Sequence, residues 1–192
     1  RMQFLGGEGL QGEWCYPKAE FDREGIMFDL NYFKYCFLKA VVDDVDEIRL
    51  QRDFEQLADD LLCTSDKEEQ PSSSSTRQLV DLSTQRTFLY RDFQSRNVMF
   101  HNNEPYFIDF QGGRKGPIYY DVASFVWQAK ANYSEELREE LLKTYLDALR
   151  QYMPVDEAYF RQQLRHFVLF RTLQVLGAYG FRGYFEKKPH FL

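Results

Sequence analysis

The stretch "FLYRDFQSRNVMF", Phe88 to Phe100, constrains this chain more than any other. An acid, Asp92, and an amide, Asn97, stand five positions apart in a polar turn between two runs of strand-forming residues, and a second acid, Asp109, follows inside "YFIDF". At that spacing an Asp and an Asn on an irregular loop can project toward one point while the flanking strands stay rigid. The residues "HNNEP" carry turn chemistry, so a hairpin is expected to return Asp109 to the side of the loop. Two carboxylates and one amide oxygen then lie close together, a hard-oxygen set of the kind magnesium takes alongside water and phosphate oxygens. Such a set suits phosphoryl transfer, in which the protein positions reactants and one carboxylate accepts the nucleophile's proton.

The rest of the chain supplies a mainly helical α+β frame for this segment. With 192 residues, 44% of them hydrophobic, and with 18 Phe and 13 Tyr, there is enough apolar surface for one well-buried domain or one lobe of a larger protein. Leu50, Phe54, Leu57, Ala58, Leu61 and Leu62 recur at steps of three and four, which predicts an amphipathic helix over 46–62. Upstream, "MFDLNYFKYCFL" reads as a buried helix starting near Asp29. Residues 64–86, with a serine run and little apolar content, read as a mobile loop or linker. "TFLY", "NVMFH" and "PYFIDF" read as short strands and "QGGRKGP" as a loop, with a helix from near Asp121 in the run that ends at Ala131. Ser134 is the expected N-cap of a helix whose apolar stripe runs from Leu137 to Leu149, and a last helix is expected from about Asp156 to Gly177.

Several functions are disfavoured. A net charge of −6 and a pI near 5.2 do not give the basic face a nucleic-acid partner needs. Cys15, Cys36 and Cys63 are odd in number and fit no Cys-x-x-Cys spacing, which speaks against a disulfide framework or zinc site and for buried or free thiols in a reducing cytoplasm. No apolar run is long enough for a membrane span. "LGGEGLQG" lacks the Gly-Lys-Ser/Thr of a phosphate loop and reads as an ordinary loop. His101, His166 and His190 are too scattered to suggest a metal site, and Tyr32 and Trp127 read as core, with stacking on a sugar ring as the alternative.

The combined text "YRDFQSRN", "FIDFQGG" and "GPIYYDVAS", with "DLNYFKYCFL" upstream, resembles the aminoglycoside phosphotransferase and choline kinase group, itself similar to protein kinases. Within that group it is most similar to bacterial kinases that phosphorylate cell-wall amino sugars, N-acetylmuramate and N-acetylglucosamine, at the anomeric hydroxyl. The resemblance extends over most of the chain, with its sharpest motifs between Tyr90 and Ser124. It implies that Asp92 is the catalytic base, that Asn97 and Asp109 hold magnesium, and that Asp121 braces the catalytic loop. Tyr90 departs from the group, which usually has His there; the position is expected to be structural. Arg91, Arg96 and Arg114 are either solvated charges or contacts to phosphate or sugar, and Gln94 and Gln111 could offer amide hydrogen bonds to sugar hydroxyls.

The expected activity is ATP-dependent phosphorylation of a small-molecule hydroxyl, with a sugar or amino sugar as acceptor. The fold implied for residues 1–192 is the C-terminal lobe of a protein-kinase-like fold, with a catalytic and metal-binding segment over 88–124. A nucleotide-binding lobe is expected to be missing, since Lys18, Lys34 and Lys39 stand on loop or helix and not on the strand that pairs a lysine with the nucleotide. That absence leaves a non-catalytic kinase-like binding or regulatory module as the alternative. A protein kinase is disfavoured, because "GGRKGPIYYDVAS" follows Asp109 too closely to leave an activation segment.

Overall fold

The computed structural model describes residues 1–62 and 87–191; the expected linker over 64–86 and Cys63 lie outside the described residues. Helix α1 is a single turn, Met2–Leu5, and a 3-10 turn spans Gly12–Trp14. Helix α2 spans Arg23–Phe33, continues as a π-helical turn through Lys34–Leu38, and ends with the short α3, Lys39–Val41. It begins six residues before the expected start near Asp29, because Asp22 caps it by accepting from the Gly25 N–H at 2.8 Å. Nor is it apolar all round in its surroundings: Ile26, Leu30 and Phe33 are buried while Phe28 and Tyr35 face solvent.

Helix α4, Glu47–Leu62, buries Phe54, Leu57, Ala58 and Leu61 on one face, as the periodicity predicts. Helix α5 spans Tyr119–Val126 and stops well short of Ala131; a separate 3-10 turn covers Ala129–Ala131. Helix α6, Glu135–Leu149, starts at Ser134, whose hydroxyl accepts from the Leu137 N–H at 3.3 Å. Its stripe is buried at Leu142, Leu146 and Leu149, although Leu137 at its start is exposed. Helix α7, Glu157–Gly180, is capped by Asp156 and continues past Gly177 into a π-helical turn over Phe181–Phe185.

Glycines set the closest helix approach. A Cβ at Gly177 would meet the Phe33 main chain, and one at Gly180 would overlap the Cys36 carbonyl, so α7 lies against α2 and its π-turn backbone to backbone. Around this contact Phe21, Tyr119, Tyr120, Phe160, Phe167 and Phe170 form the aromatic part of the core.

Two small antiparallel sheets carry the segment of interest. Strands β2, Val98–His101, and β3, Glu104–Phe107, pair in the expected hairpin, with Val98 opposite Phe107 and His101 opposite Glu104. Asn102 and Asn103 take left-handed φ values of 49° and 62°, the conformation that two-residue hairpin turns demand and Asn tolerates. "PYFIDF" leaves the strand at Phe107. The second sheet pairs β1, Thr87–Leu89, with β4, Arg114–Gly116. β4 lies inside the stretch expected to be loop. One glycine and two basic residues give it no strand signature, and it is made by pairing with β1.

Candidate active site

The loop from Tyr90 to Asn97 runs between the two sheets and is fixed at its start by α5. Asp121 is the third residue of α5 and not its cap: its carboxylate accepts the main-chain N–H groups of Tyr90, at 2.7 Å, and Arg91, at 2.9 Å. The group is almost fully buried, and burial pushes its carboxyl up to about 6 against the pull of those two donors and of Arg171. Arg91 adopts φ 77°, a left-handed conformation uncommon for a residue with a Cβ. The two bonds from Asp121 hold it there and set the direction in which Asp92 leaves the backbone.

Tyr90 stands at the centre. Its ring is buried edge-on to Phe93 and Phe107, and its hydroxyl donates to the Ile108 carbonyl. Burial raises its pKa first, and Asp109, Asp121 and Asp92 raise it further, so all three carboxylates lie within electrostatic reach of one phenol. The phenol thus joins the Tyr90–Asn97 loop to the segment that carries Asp109.

The loop then closes on itself. The Asn97 side-chain amide donates to the Asp92 carbonyl at 2.9 Å, its main-chain N–H donates to the Gln94 carbonyl at 2.9 Å, and its carbonyl accepts from Ile108 N–H at 3.1 Å. Committing the amide nitrogen leaves the side-chain oxygen as the end available to a ligand. Asp109 is exposed and takes φ 68°, a second left-handed non-glycine residue within the same small region. Asn97 and Asp109 together offer hard oxygens of the type magnesium accepts, with substrate and water to complete the shell. Among the described residues no group of three or more His, Cys, Asp and Glu side chains could hold a metal on its own.

The remaining predicted residues sort by position. Gln94 donates to Asp92 Oδ1 at 2.5 Å and Gln111 donates to Asp109 Oδ1 at 2.7 Å, so each glutamine steadies one acid. Arg96 is exposed, with Nη2 3.5 Å from Asp92 Oδ2. Arg114 is buried, bonded to the carbonyls of Tyr16 at 3.1 Å and Gly112 at 3.3 Å, and burial together with the neighbouring Arg91 charge lowers its pKa. Arg91 and Arg114 both line a pocket that Asp92 does not reach.

One supporting residue escaped the sequence. Gln128 Oε1 accepts from the Ser95 N–H at 3.1 Å and the Ser95 hydroxyl at 2.8 Å, while its Nε2 donates to the Phe125 carbonyl and the Tyr133 hydroxyl. It pins the middle of the loop from beyond α5, just as Asp121 pins its start. A glutamine after a helix carries no sequence signal for such a role.

Residues 42–157, more than half of the chain, match the phosphotransferase enzyme family. The chain belongs to that family. The chain is 26% identical over 175 residues to an N-acetylmuramate/N-acetylglucosamine kinase of Neisseria meningitidis serogroup B (strain ATCC BAA-335 / MC58), covering 90% of the present chain and 48% of that kinase. It therefore spans about half the length of the curated relative it matches. In fold it is similar to a choline kinase from Cryptosporidium parvum Iowa II, with a TM-score of 0.55 at 15% identity, covering 96% of this chain and 61% of the other. The protein-kinase-like fold and the mainly helical α+β class expected from the motifs are thereby established. No helix among the described residues is long and apolar enough to cross a membrane.

Proposed function

We propose that the chain is the catalytic lobe of a cytoplasmic, ATP-dependent kinase that phosphorylates a hydroxyl of a small molecule, with an amino sugar as acceptor. The observation that carries this reading is the gathering of Asp92, Asn97 and Asp109 around Tyr90, on a loop fixed by Asp121. The similarity to a kinase of N-acetylmuramate and N-acetylglucosamine supports the amino-sugar acceptor.

In this mechanism Asp92 accepts a hydrogen bond from the acceptor hydroxyl and takes its proton as the new O–P bond forms and the bond to the departing ADP oxygen breaks. Gln94 and Arg96 hold the Asp92 carboxylate in its orientation. Asn97 and Asp109 would hold the magnesium ion, which supplies charge neutralisation on the phosphate oxygens. Gln111 restrains Asp109 by donating to its Oδ1.

Steady-state kinetics on the longest gene product that carries these residues test the proposal, with magnesium, ATP and four acceptors: N-acetylmuramate, N-acetylglucosamine, choline and an aminoglycoside. Phosphorylation of an amino sugar is expected. Asp92→Asn is expected to lower kcat at least about a hundredfold with KM changed only a few-fold, and Asp109→Asn to abolish turnover without unfolding the chain. Transfer to none of the acceptors, or an Asp92→Asn enzyme as fast as the parent, would overturn the reading.

A further inference from the structure

Past its start the loop that carries Asp92 has two further anchors, and both lead to the end of α5. Phe93 stacks its ring on Phe125 at 4.9 Å, and Ser95 gives its N–H and its hydroxyl to Gln128 Oε1 at 3.1 and 2.8 Å. From there Gln128 Nε2 turns back to the Phe125 carbonyl at 2.8 Å and to the Tyr133 hydroxyl at 3.1 Å. The Tyr133 ring lies 6.2 Å from that of Phe125. Phe125, Gln128 and Tyr133 thus form one bracket against the middle of the loop.

An amide oxygen offers two acceptor sites and an amide nitrogen two N–H groups, so these four bonds use the whole hydrogen-bonding capacity of the Gln128 side chain. Its amide has a single workable orientation, since the Ser95 N–H needs oxygen and the Phe125 carbonyl needs nitrogen. Ser95 is also the first residue of the 3-10 turn Ser95–Asn97, where a main-chain N–H has no partner within its own turn. The preceding residue, Gln94, does not cap that turn, because its side chain is committed to Asp92 Oδ1 at 2.5 Å. Gln128 supplies the cap from another element.

The capped turn carries the chemistry on both sides. Gln94 and Arg96, the two neighbours of Ser95, reach the two oxygens of Asp92, Oδ1 at 2.5 Å and Oδ2 at 3.5 Å. The turn ends at Asn97, whose amide nitrogen bonds the Asp92 carbonyl and whose oxygen is left for a ligand. We propose that Gln128 is a positioning residue which, by capping the turn at Ser95, sets the Asp92 carboxylate and the Asn97 oxygen relative to each other. Resting on the kinase reading above, this gives Gln128 a share in kcat, exerted through Ser95. Asp121 fixes where the loop starts, and Gln128 fixes where its turn stands.

Two readouts on the longest gene product that carries these residues test the assignment. Gln128→Met keeps the length of the side chain and removes all four bonds. Amide hydrogen exchange is expected to rise at least about fivefold at Ser95 and Asn97, as for the loss of one hydrogen bond, and to stay unchanged at Tyr90 and Arg91, which Asp121 holds. With magnesium, ATP and the acceptor that the parent phosphorylates, kcat is expected to fall at least about tenfold, as a small misplacement of reacting groups causes, with the acceptor KM within about twofold. The magnesium concentration for half-maximal rate should rise as well, which a general loss of folded protein would not produce. Ser95→Ala keeps the N–H bond, so its fall in kcat should be only a few-fold, and nil on top of Gln128→Met, because both changes act through one contact. If the Met variant does not fold, Ser95→Ala decides alone, and an unchanged kcat overturns the proposal. Unchanged exchange at Ser95 and Asn97, a rise spread evenly along the chain, additive effects in the double variant, or an active parent whose kcat survives Gln128→Met would also overturn it. The local exchange change in a protein that phosphorylates no acceptor would support the bracket and refute the kinase reading, so the two fail separately.

Discussion

The two small sheets of this chain have the same two-strand antiparallel form and opposite surroundings. In the β1–β4 sheet, Leu89, Thr87, Arg114 and Gly116 are buried, and Leu89 packs directly over Gly116. In the β2–β3 hairpin almost every residue faces solvent, Met99, Phe100, Tyr106 and Phe107 among them. The buried pair is made by tertiary context: its strands are 24 residues apart in sequence and one has no strand character of its own. The exposed pair is made locally, by an Asn-Asn turn and four residues of register. The candidate catalytic loop leaves the buried sheet and enters the exposed one. Asp92 therefore lies near an anchored end, and Asp109 follows a hairpin whose position depends on Tyr90 and on the Ile108–Asn97 bond.

Truncating the buried sheet should have the largest effect. Leu89 is 1% exposed, and its side chain is seated against Gly116. Leu89→Ala is expected to cost about 2–5 kcal/mol in denaturant unfolding, the usual range for a fully buried leucine. A loss under about 1 kcal/mol would mean that the β1–β4 sheet is not the anchor this comparison makes it.

Asp121 sharpens the comparison through pH, because it ties the end of the buried sheet to α5. Its carboxyl titrates at about 6 in the folded chain against 3.8 for the ordinary group. The folded state therefore holds the proton more tightly, and the stability linked to it is fully present below about pH 4 and is lost as pH rises through 6. The loss amounts to at most about 3 kcal/mol by proton linkage. Other carboxylates move the other way; Glu47, held down to about 2 by Lys34 and Lys39, contributes stability that is lost only in stronger acid. The informative quantity is consequently the difference between the parent and Asp121→Asn, followed by urea unfolding from pH 4 to pH 7. The parent should lose ground against the variant across that window, and a flat difference would show that Asp121 titrates without perturbation.

The same contrast explains what was legible in the sequence. The hairpin, its Asn-Asn turn, the Asp92 and Asn97 spacing and the periodic helix over 46–62 are local features, and local chemistry writes them plainly into neighbouring residues. β4 and Gln128 are the opposite case. Arg114–Gly116 becomes a strand only because Thr87–Leu89 lies alongside, and Gln128 matters only because the fold carries Ser95 to it. The start of α2 was legible in principle, since Asp22 three residues before Gly25 has capping chemistry; the aromatic run further on drew the boundary toward itself. Arg114 as a charge in the site region was legible, whereas its burial beneath Tyr16 depends on a contact 98 residues away in sequence.

The smallest effect should come from the hairpin. Phe100 is 71% exposed and the register sets it opposite Pro105, so replacing its ring by a small polar group removes little buried area. Phe100→Ser is expected to change stability by no more than about 0.5 kcal/mol, as for surface positions away from caps, cores and networks. Serine is a poorer strand former than phenylalanine, which sets the expected sign as slight destabilisation. The main-chain bonds of the hairpin and the Asn-Asn turn are untouched, so the position of Asp109 should survive. Unfolding of this variant beside Leu89→Ala then compares the two sheets in one experiment. A cost for Phe100→Ser close to that of Leu89→Ala would place the hairpin inside the cooperative core, and would make the Asp109 side of the site as firmly anchored as the Asp92 side.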